Sequence, residues 1–307
     1  MKNRYTASAI VLAAMLLGPL ASGTAGQDAA APTTIAGCPA EPLALHACEL
    51  AKAKTFRPPR TPSGKPNLQG YWVSRLAMPF SVEGVPESEP MVRDPVMPWI
   101  ASPPVIVDPA DRKIPYQRWA VPIGRRGQNF LKYIDPRTEC ATAGVPRLAL
   151  QDPSQILQPW GDDHVLWLFE DHHVHRVITM DGRPPIGDSI KLWTGSSRGR
   201  WEGNTLVIDI TNVNGYTWFD DSGDFYTDAA HLVERLTMID PDTIHYQVTL
   251  EDPKTYTRPW TMVWALVRQT EPGFEIMEEA CREGERDLPR IREQGYQPFF
   301  GETWRGR

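Results

Sequence analysis

No surplus of basic residues marks this chain. Its 307 residues carry 32 Lys and Arg against 38 Asp and Glu, a formal charge of −6. Nucleic-acid binding is driven by phosphate neutralisation, so a chain without a basic excess or stripe is read away from that class. Several catalytic motifs are also missing. No helix–strand alternation appears, so the α/β fold that carries a nucleophile-elbow serine is not expected. There is no Gly-x-Gly-x-x-Gly and no phosphate loop, which argues against nucleotide cofactors. No Cys-x-x-Cys pair occurs, so metal binding by the cysteines is not expected. Beyond the first 25 residues, no run approaches the ~18 apolar residues of a membrane span.

Two surpluses stand against these absences. Proline contributes 30 residues, about twice its usual share. Each proline costs ~3 kcal/mol in a helix interior, so a helical bundle is disfavoured. Tryptophan contributes 11 residues, which suggests a core or pocket walled by large rings. Apolar residues at 41% and charged residues at 23% are ordinary for a globular protein, so general disorder is not expected.

The N-terminus reads as an export signal. Lys2 and Arg4 precede an apolar run from Ala7 to Leu20, and small residues follow through Ala25. Cleavage near Ala25 would make residues 1–25 a signal peptide and the mature protein periplasmic. Ile35-Ala36-Gly37-Cys38 looks like a lipoprotein box, but Gln27 and Asp28 separate it from the apolar run. In an exported chain the even set Cys38, Cys48, Cys140 and Cys281 suggests disulfides. Of three pairings, Cys38–Cys48 with Cys140–Cys281 is favoured, and reduced buried thiols are the alternative.

Residues 26–65 read as an N-terminal arm with a short helix over Leu43–Lys54. A single β domain follows over 66–292, and 293–307 reads as a tail. Within the domain, 79–159 is a proline-rich excursion, ordered by packing and suited to be a lid or a docking surface. Short strand-like runs recur at Leu68–Ser74, His164–Glu170, His173–Met180, Arg198–Glu202, Thr205–Thr211, Leu232–Ile239, Thr243–Glu251, Trp260–Arg268 and Phe274–Ala280. Turn signals such as Asp181-Gly182 and Gly203-Asn204 separate them. About nine strands, mostly joined by hairpins, predict a mainly β fold: an antiparallel meander that closes as a barrel. Gly70-Tyr71-Trp72 at the first strand resembles the signature of lipocalin-like, or calycin, barrels. In those the tryptophan plugs the closed end.

Strand alternation assigns faces. Arg176 lies with Val174, Ile178 and Met180. Glu234 lies with Leu232, Leu236 and Met238. Burying either charge alone is costly, so the two are expected to pair with each other or with another buried group. Such a pair either fixes register or forms a pocket in which Glu234 is an acid or base and Arg176 orients it. Burial would raise the Glu234 pKa and the arginine would lower it. Asp209 is a pocket residue if its face lines the barrel, and a solvated carboxylate if not. His173 and His175 share a face, which suits metal ligation with His231 and Glu234, but the cupin spacing fails, and no metal is expected. His173 is instead a candidate general acid–base group, since its ordinary pKa lies near operating pH. Trp167, Tyr216, Trp218 and Trp260 are candidate aromatic walls, and Arg183 a candidate anion partner.

Longer stretches carry a further resemblance. They include Thr61-Pro62-Ser63-Gly64-Lys65-Pro66, Gly199-Arg200-Trp201-Glu202-Gly203, His231-Leu232-Val233-Glu234-Arg235 and Glu279-Ala280-Cys281-Arg282-Glu283-Gly284. Together with Asp181-Gly182-Arg183-Pro184 and Asp252-Pro253-Lys254-Thr255-Tyr256-Thr257-Arg258-Pro259-Trp260, they are similar to a large family of exported bacterial β-rich proteins of largely unassigned function. The resemblance spans residues 61–290. It implies a role for Glu170, His173, Arg176, Asp209, His231 and Glu234. The chain departs from the pattern at Pro185 and at Tyr226-Thr227, where histidines are common. The resemblance also implies bacteria that degrade aromatic compounds and terpenoids. The resulting expectation is an exported barrel that binds a hydrophobic, aromatic small molecule. It would perform lyase- or isomerase-type acid–base chemistry without a cofactor. The alternatives are a non-catalytic carrier or envelope interaction protein, and a histidine-ligated metalloenzyme.

Overall fold

Alternating side chains build the wall of a barrel. The computed structural model describes residues 34–75, 81–85, 103–124, 133–150, 153–159 and 161–279, with 281, 293 and 297–298. The expected signal over 1–25 and Trp160 lie outside the described residues. In chain order the elements are β1 Thr34–Ile35, β2 Cys38–Pro39, α1 Pro42–Thr55, β3 Gly70–Ser74 and β4 Ile106–Asp108. There follow β5 Tyr133–Ile134, β6 Ser154–Leu157, β7 His164–Phe169, β8 His175–Thr179 and β9 Ser196–Glu202. The last are β10 Thr205–Thr211, β11 His231–Asp240, β12 Thr243–Glu251, β13 Trp260–Arg268 and β14 Gln297–Pro298.

Nine strands close on themselves in the order β12-β11-β10-β9-β8-β7-β6-β3-β13, with β13 returning to β12. The expected lipocalin-like barrel is therefore the fold. Its membership differs from the sequence reading in two places. Phe274–Ala280 alternates but forms no strand in its described part, 274–279. Its place is taken by β6, which pairs with β3 and β7 from within the proline-rich excursion. The meander is also not wholly antiparallel. β8 and β9 run parallel and meet at a single pair, Thr179 with Arg198. The connection between them is too long for a hairpin, and a parallel neighbour needs such a crossover.

Inward positions on β10 to β13 are Leu206, Ile208, Ile210, Leu232, Leu236, Ile244, Val248 and Met262, all buried. At the end where β13 finishes, Trp72 is fully buried, and its indole N–H donates to the Leu68 carbonyl at 2.9 Å. The Arg268 guanidinium stacks on that ring, 4.2 Å from its centre. Gly70 makes room for this: a Cβ there would sit 2.1 Å from Arg268 Nη1. The tryptophan of the Gly-x-Trp signature thus sits in the barrel interior near that end.

Connecting segments cover the opposite end. Ala143, Val145, Leu148, Ala149 and Leu150 of the excursion are buried in the same core. Tyr226 Oη donates to the Val145 carbonyl at 2.7 Å, and Trp264 Nε1 donates to the Ala149 carbonyl at 3.0 Å. Arg147 clamps the segment, with Nη1 2.6 Å from Asp135 Oδ2 and Nη2 donating to Asp221 Oδ1.

α1 lies against the outer wall of β11 to β13, close to its expected span. Glu41 caps it by accepting from the Ala44 N–H at 2.9 Å, and Pro42 begins it. Both favoured disulfides are formed, Cys38–Cys48 beside α1 and Cys140–Cys281 beside the barrel mouth. The Cys38 sulfur is therefore held in a disulfide and does not carry a lipid. Among the described residues no helix is long and apolar enough to cross a membrane.

Candidate functional site

Arg176 and Glu234 meet inside the barrel. Register places Arg176 beside Trp167 and Glu234 beside Ile208 and Val248, all facing inward. Arg176 Nη2 donates to Glu234 Oε2 at 2.7 Å, and Nη1 donates to Oε1 at 3.0 Å. This bidentate pairing matches the planar fork to the carboxylate. Tyr246 Oη donates to Glu234 Oε1 at 2.7 Å, and Arg176 Nη2 also donates to Ser197 Oγ at 3.1 Å. Burial and the Glu234 charge push the Tyr246 hydroxyl well above its usual range, so it keeps its proton. Burial does the same for Tyr226.

Rings wall this network. Tyr246 packs 4.3 Å from Trp264, and Trp167 packs 5.1 Å from Phe169 and 6.2 Å from Tyr246. Arg176 lies 5.5 Å from the Trp167 ring centre. Two buried donors on these adjacent strands, Arg176 Nε and Trp167 Nε1, have no acceptor among the described residues. Buried donors nearly always have partners, so this pair is left wanting one.

The remaining expected residues are distributed elsewhere. Trp260 is buried in the interior. Trp218 is buried in the connection between β10 and β11, in the same core as the inward wall residues. Tyr216 is part-buried in the same connection, with its ring edge-on to Trp193 at 6.0 Å. Asp209 and His231 pair at 3.1 Å on the outer surface, so the solvated alternative for Asp209 is the correct one. Arg183 is exposed and pairs with Asp181 on its own turn. His173 and His175 are exposed and face away from the interior. The structure brings none of these to Glu234, and no histidine cluster assembles from His173, His175 and His231.

Sequence reasoning missed a second site. At the barrel mouth a cleft of about 280 Å³ is lined by Arg137, Arg147, His172, Asp221 and Glu279 beside the Cys140–Cys281 bond. His172 and His173 both adopt left-handed backbone, φ 50° and 54°. Such conformations are costly outside glycine and cluster at functional sites. The imidazole of His172 lies 3.0 Å from Asp171 Oδ1 and 3.2 Å from Glu279 Oε2. The Asp171 carboxylate, followed by Glu279, raises its pKa. Only the unusual Asp-His-His turn hinted at this site, because Glu279 lies far along the chain.

A third cluster is structural. Asp220 and Asp224 are fully buried in the connection between β10 and β11. Asp220 accepts from the N–H groups of Ser222, Asp224 and Val82, and Tyr116 Oη donates to Asp224 at 2.7 Å. Burial and then the neighbouring Asp224 push the Asp220 carboxyl well above the carboxylate range. The folded state therefore retains a proton that the unfolded chain releases near pH ~4. Stability from this group is full below that value and is lost as pH rises through the folded value. The expected result is a higher thermal midpoint at pH 5 than at pH 8, with a smaller difference in Asp220→Asn. Equal slopes in the two proteins would contradict the assignment.

Compared with family models, curated proteins and solved structures, the chain finds no match in any of the three.

Proposed function

We propose that this is an exported, periplasmic barrel protein that takes an aromatic small molecule into its interior and performs acid–base chemistry on it. One observation carries the reading: Arg176 Nε and Trp167 Nε1 are buried donors without acceptors, beside a carboxylate in an aromatic interior. A ligand oxygen between them would satisfy both. Two further interior donors, Tyr226 Oη and Trp264 Nε1, are held by carbonyls of the 143–150 segment. Lifting that segment exposes a polar edge in a ring-lined space, which suits an aromatic ligand bearing a carbonyl or phenolic oxygen.

In this reading Glu234 accepts a proton from a carbon next to the ligand carbonyl. The electron pair moves onto the oxygen, where Arg176 Nε–H and Trp167 Nε1–H receive the charge. Glu234 exchanges that proton with solvent and delivers one to a neighbouring carbon in an isomerisation, or a leaving group departs in an elimination. Two disulfides fit an oxidising compartment, which supports export.

The test uses heavy water. The protein is incubated in D₂O with a panel of aryl ketones and lignin-type aromatic dimers, with and without chelator, and mass spectrometry follows the compounds. The expected result is deuterium in one compound, or a new product, unaffected by chelation. Binding without label or product would move the reading to a carrier. A carrier finds support in Glu234, both of whose oxygens already accept hydrogen bonds. No binding by any compound would overturn both.

A further inference from the structure

The cleft at the barrel mouth has the donors of a metal site. Asp171, His172 and Glu279 each offer one ligand atom, and the three atoms lie within 4.8 Å of one another. Nδ1 of His172 is 3.0 Å from one carboxylate oxygen and 3.2 Å from the other. Ligands about 2.0–2.2 Å from a tetrahedral zinc ion stand about 3.3 Å apart, so these spacings fit a common cation. The imidazole is not otherwise committed. Its side chain is 8% exposed, and neither ring nitrogen makes an aligned hydrogen bond. Asp171 is fully buried, and its Oδ2 has no partner.

The described residues around the cleft are strongly charged. Asp135, Asp171, Asp221 and Glu279 bring four negative charges to the cleft and its floor, against the guanidiniums of Arg137 and Arg147. Arg137 Nε donates to Asp171 Oδ1 at 2.5 Å, the kind of outer contact that fixes a ligating carboxylate. The His172 backbone N–H donates to Glu279 in the same way. The left-handed backbone at His172 holds its ring in this position.

We infer that Asp171, His172 and Glu279 bind one divalent transition-metal ion of the zinc class, with solvent completing the coordination. An imidazole in the set favours zinc over calcium or magnesium, which prefer oxygen ligands throughout. The ion ties the turn between β7 and β8 to Glu279, close to the Cys140–Cys281 disulfide. It is distinct from the barrel interior, so the two readings stand or fall separately.

Zinc is titrated calorimetrically into chelator-treated protein whose disulfides are verified intact by mass. The expected result is one Zn²⁺ per chain, a raised thermal midpoint, and weaker binding of Ca²⁺. Glu279→Gln and His172→Asn should each weaken zinc binding at least about tenfold. Asparagine tolerates left-handed backbone, and the two variants alter different segments, so a folding defect in one leaves the other as a test. Failure of the intact protein to bind zinc overturns the inference. So does zinc binding unchanged in both variants, which would place the ion on other histidines such as His231. Zinc binding only after reduction overturns it as well, because Cys140 and Cys281 also lie within ligand range of His172. A preference for Ca²⁺ would do the same.

Discussion

Replacing Glu234 by Gln should destabilise the protein by about 3–5 kcal/mol, because it leaves Arg176 as a buried charge without a counter-charge. The Arg176 side chain is only 1% exposed, so in the folded protein its charge is almost wholly removed from water. Typical domains hold only ~5–15 kcal/mol, so the loss is a large fraction of stability and should appear as a clear drop in the denaturation midpoint. Removing both charges should behave differently. Arg176→Met with Glu234→Met replaces the pair by apolar side chains, and such exchanges are often neutral or stabilising. The double variant should therefore recover most of the loss. It should also separate fold from chemistry, because it restores the barrel while deleting the proposed base and the oxyanion donor. If the double variant retains deuterium exchange or product formation, Glu234 is not the base. If the single variant is as stable as the parent, the pair is not the buried charge pair described here.

Loss of the Cys140–Cys281 bond should cost up to about 5 kcal/mol, against about 3 kcal/mol for Cys38–Cys48. The difference follows from the loops they close, with sequence separations of 141 and 10 residues. In the chain-entropy account, cross-linking distant residues removes more freedom from the unfolded chain. Cys140 also ends a short turn that carries Arg137, and Cys281 anchors the segment bearing Glu279. Paired Cys→Ser variants, compared by chemical denaturation, measure both costs. A larger loss for Cys38–Cys48 would reverse the expected order and place the effect in local packing.

Much of the barrel was legible because alternation is a local signal. The inward faces of β8 and β11 were readable from Val174 to Met180 and from Leu232 to Met238, and with them the pairing of Arg176 and Glu234. The strand β6 was not readable. Its four residues, Ser154–Leu157, lie among prolines and acquire strand character only from their neighbours β3 and β7. Phe274–Ala280 erred the other way: it alternates, but its described part has no strand to pair with. The parallel meeting of β8 and β9 rests on one residue pair, which no period encodes. Asp209 and His231 share the outer face by register, so pairing them was within reach, but which face was inward depended on closure. The cleft escaped because His172 and Glu279 are 107 positions apart and meet through backbone geometry rather than pattern.

The most direct measurement concerns the two donors without acceptors. Trp167→Phe keeps an aromatic ring in the wall and removes one of those N–H groups. Calorimetric titration of the best-binding aryl ketone from the panel into the parent and this variant isolates that hydrogen bond. The expected result is binding about tenfold weaker in the variant, as one buried hydrogen bond of ~1.5 kcal/mol would give. Equal affinity in the two proteins would contradict an interior ligand held by Trp167 and Arg176.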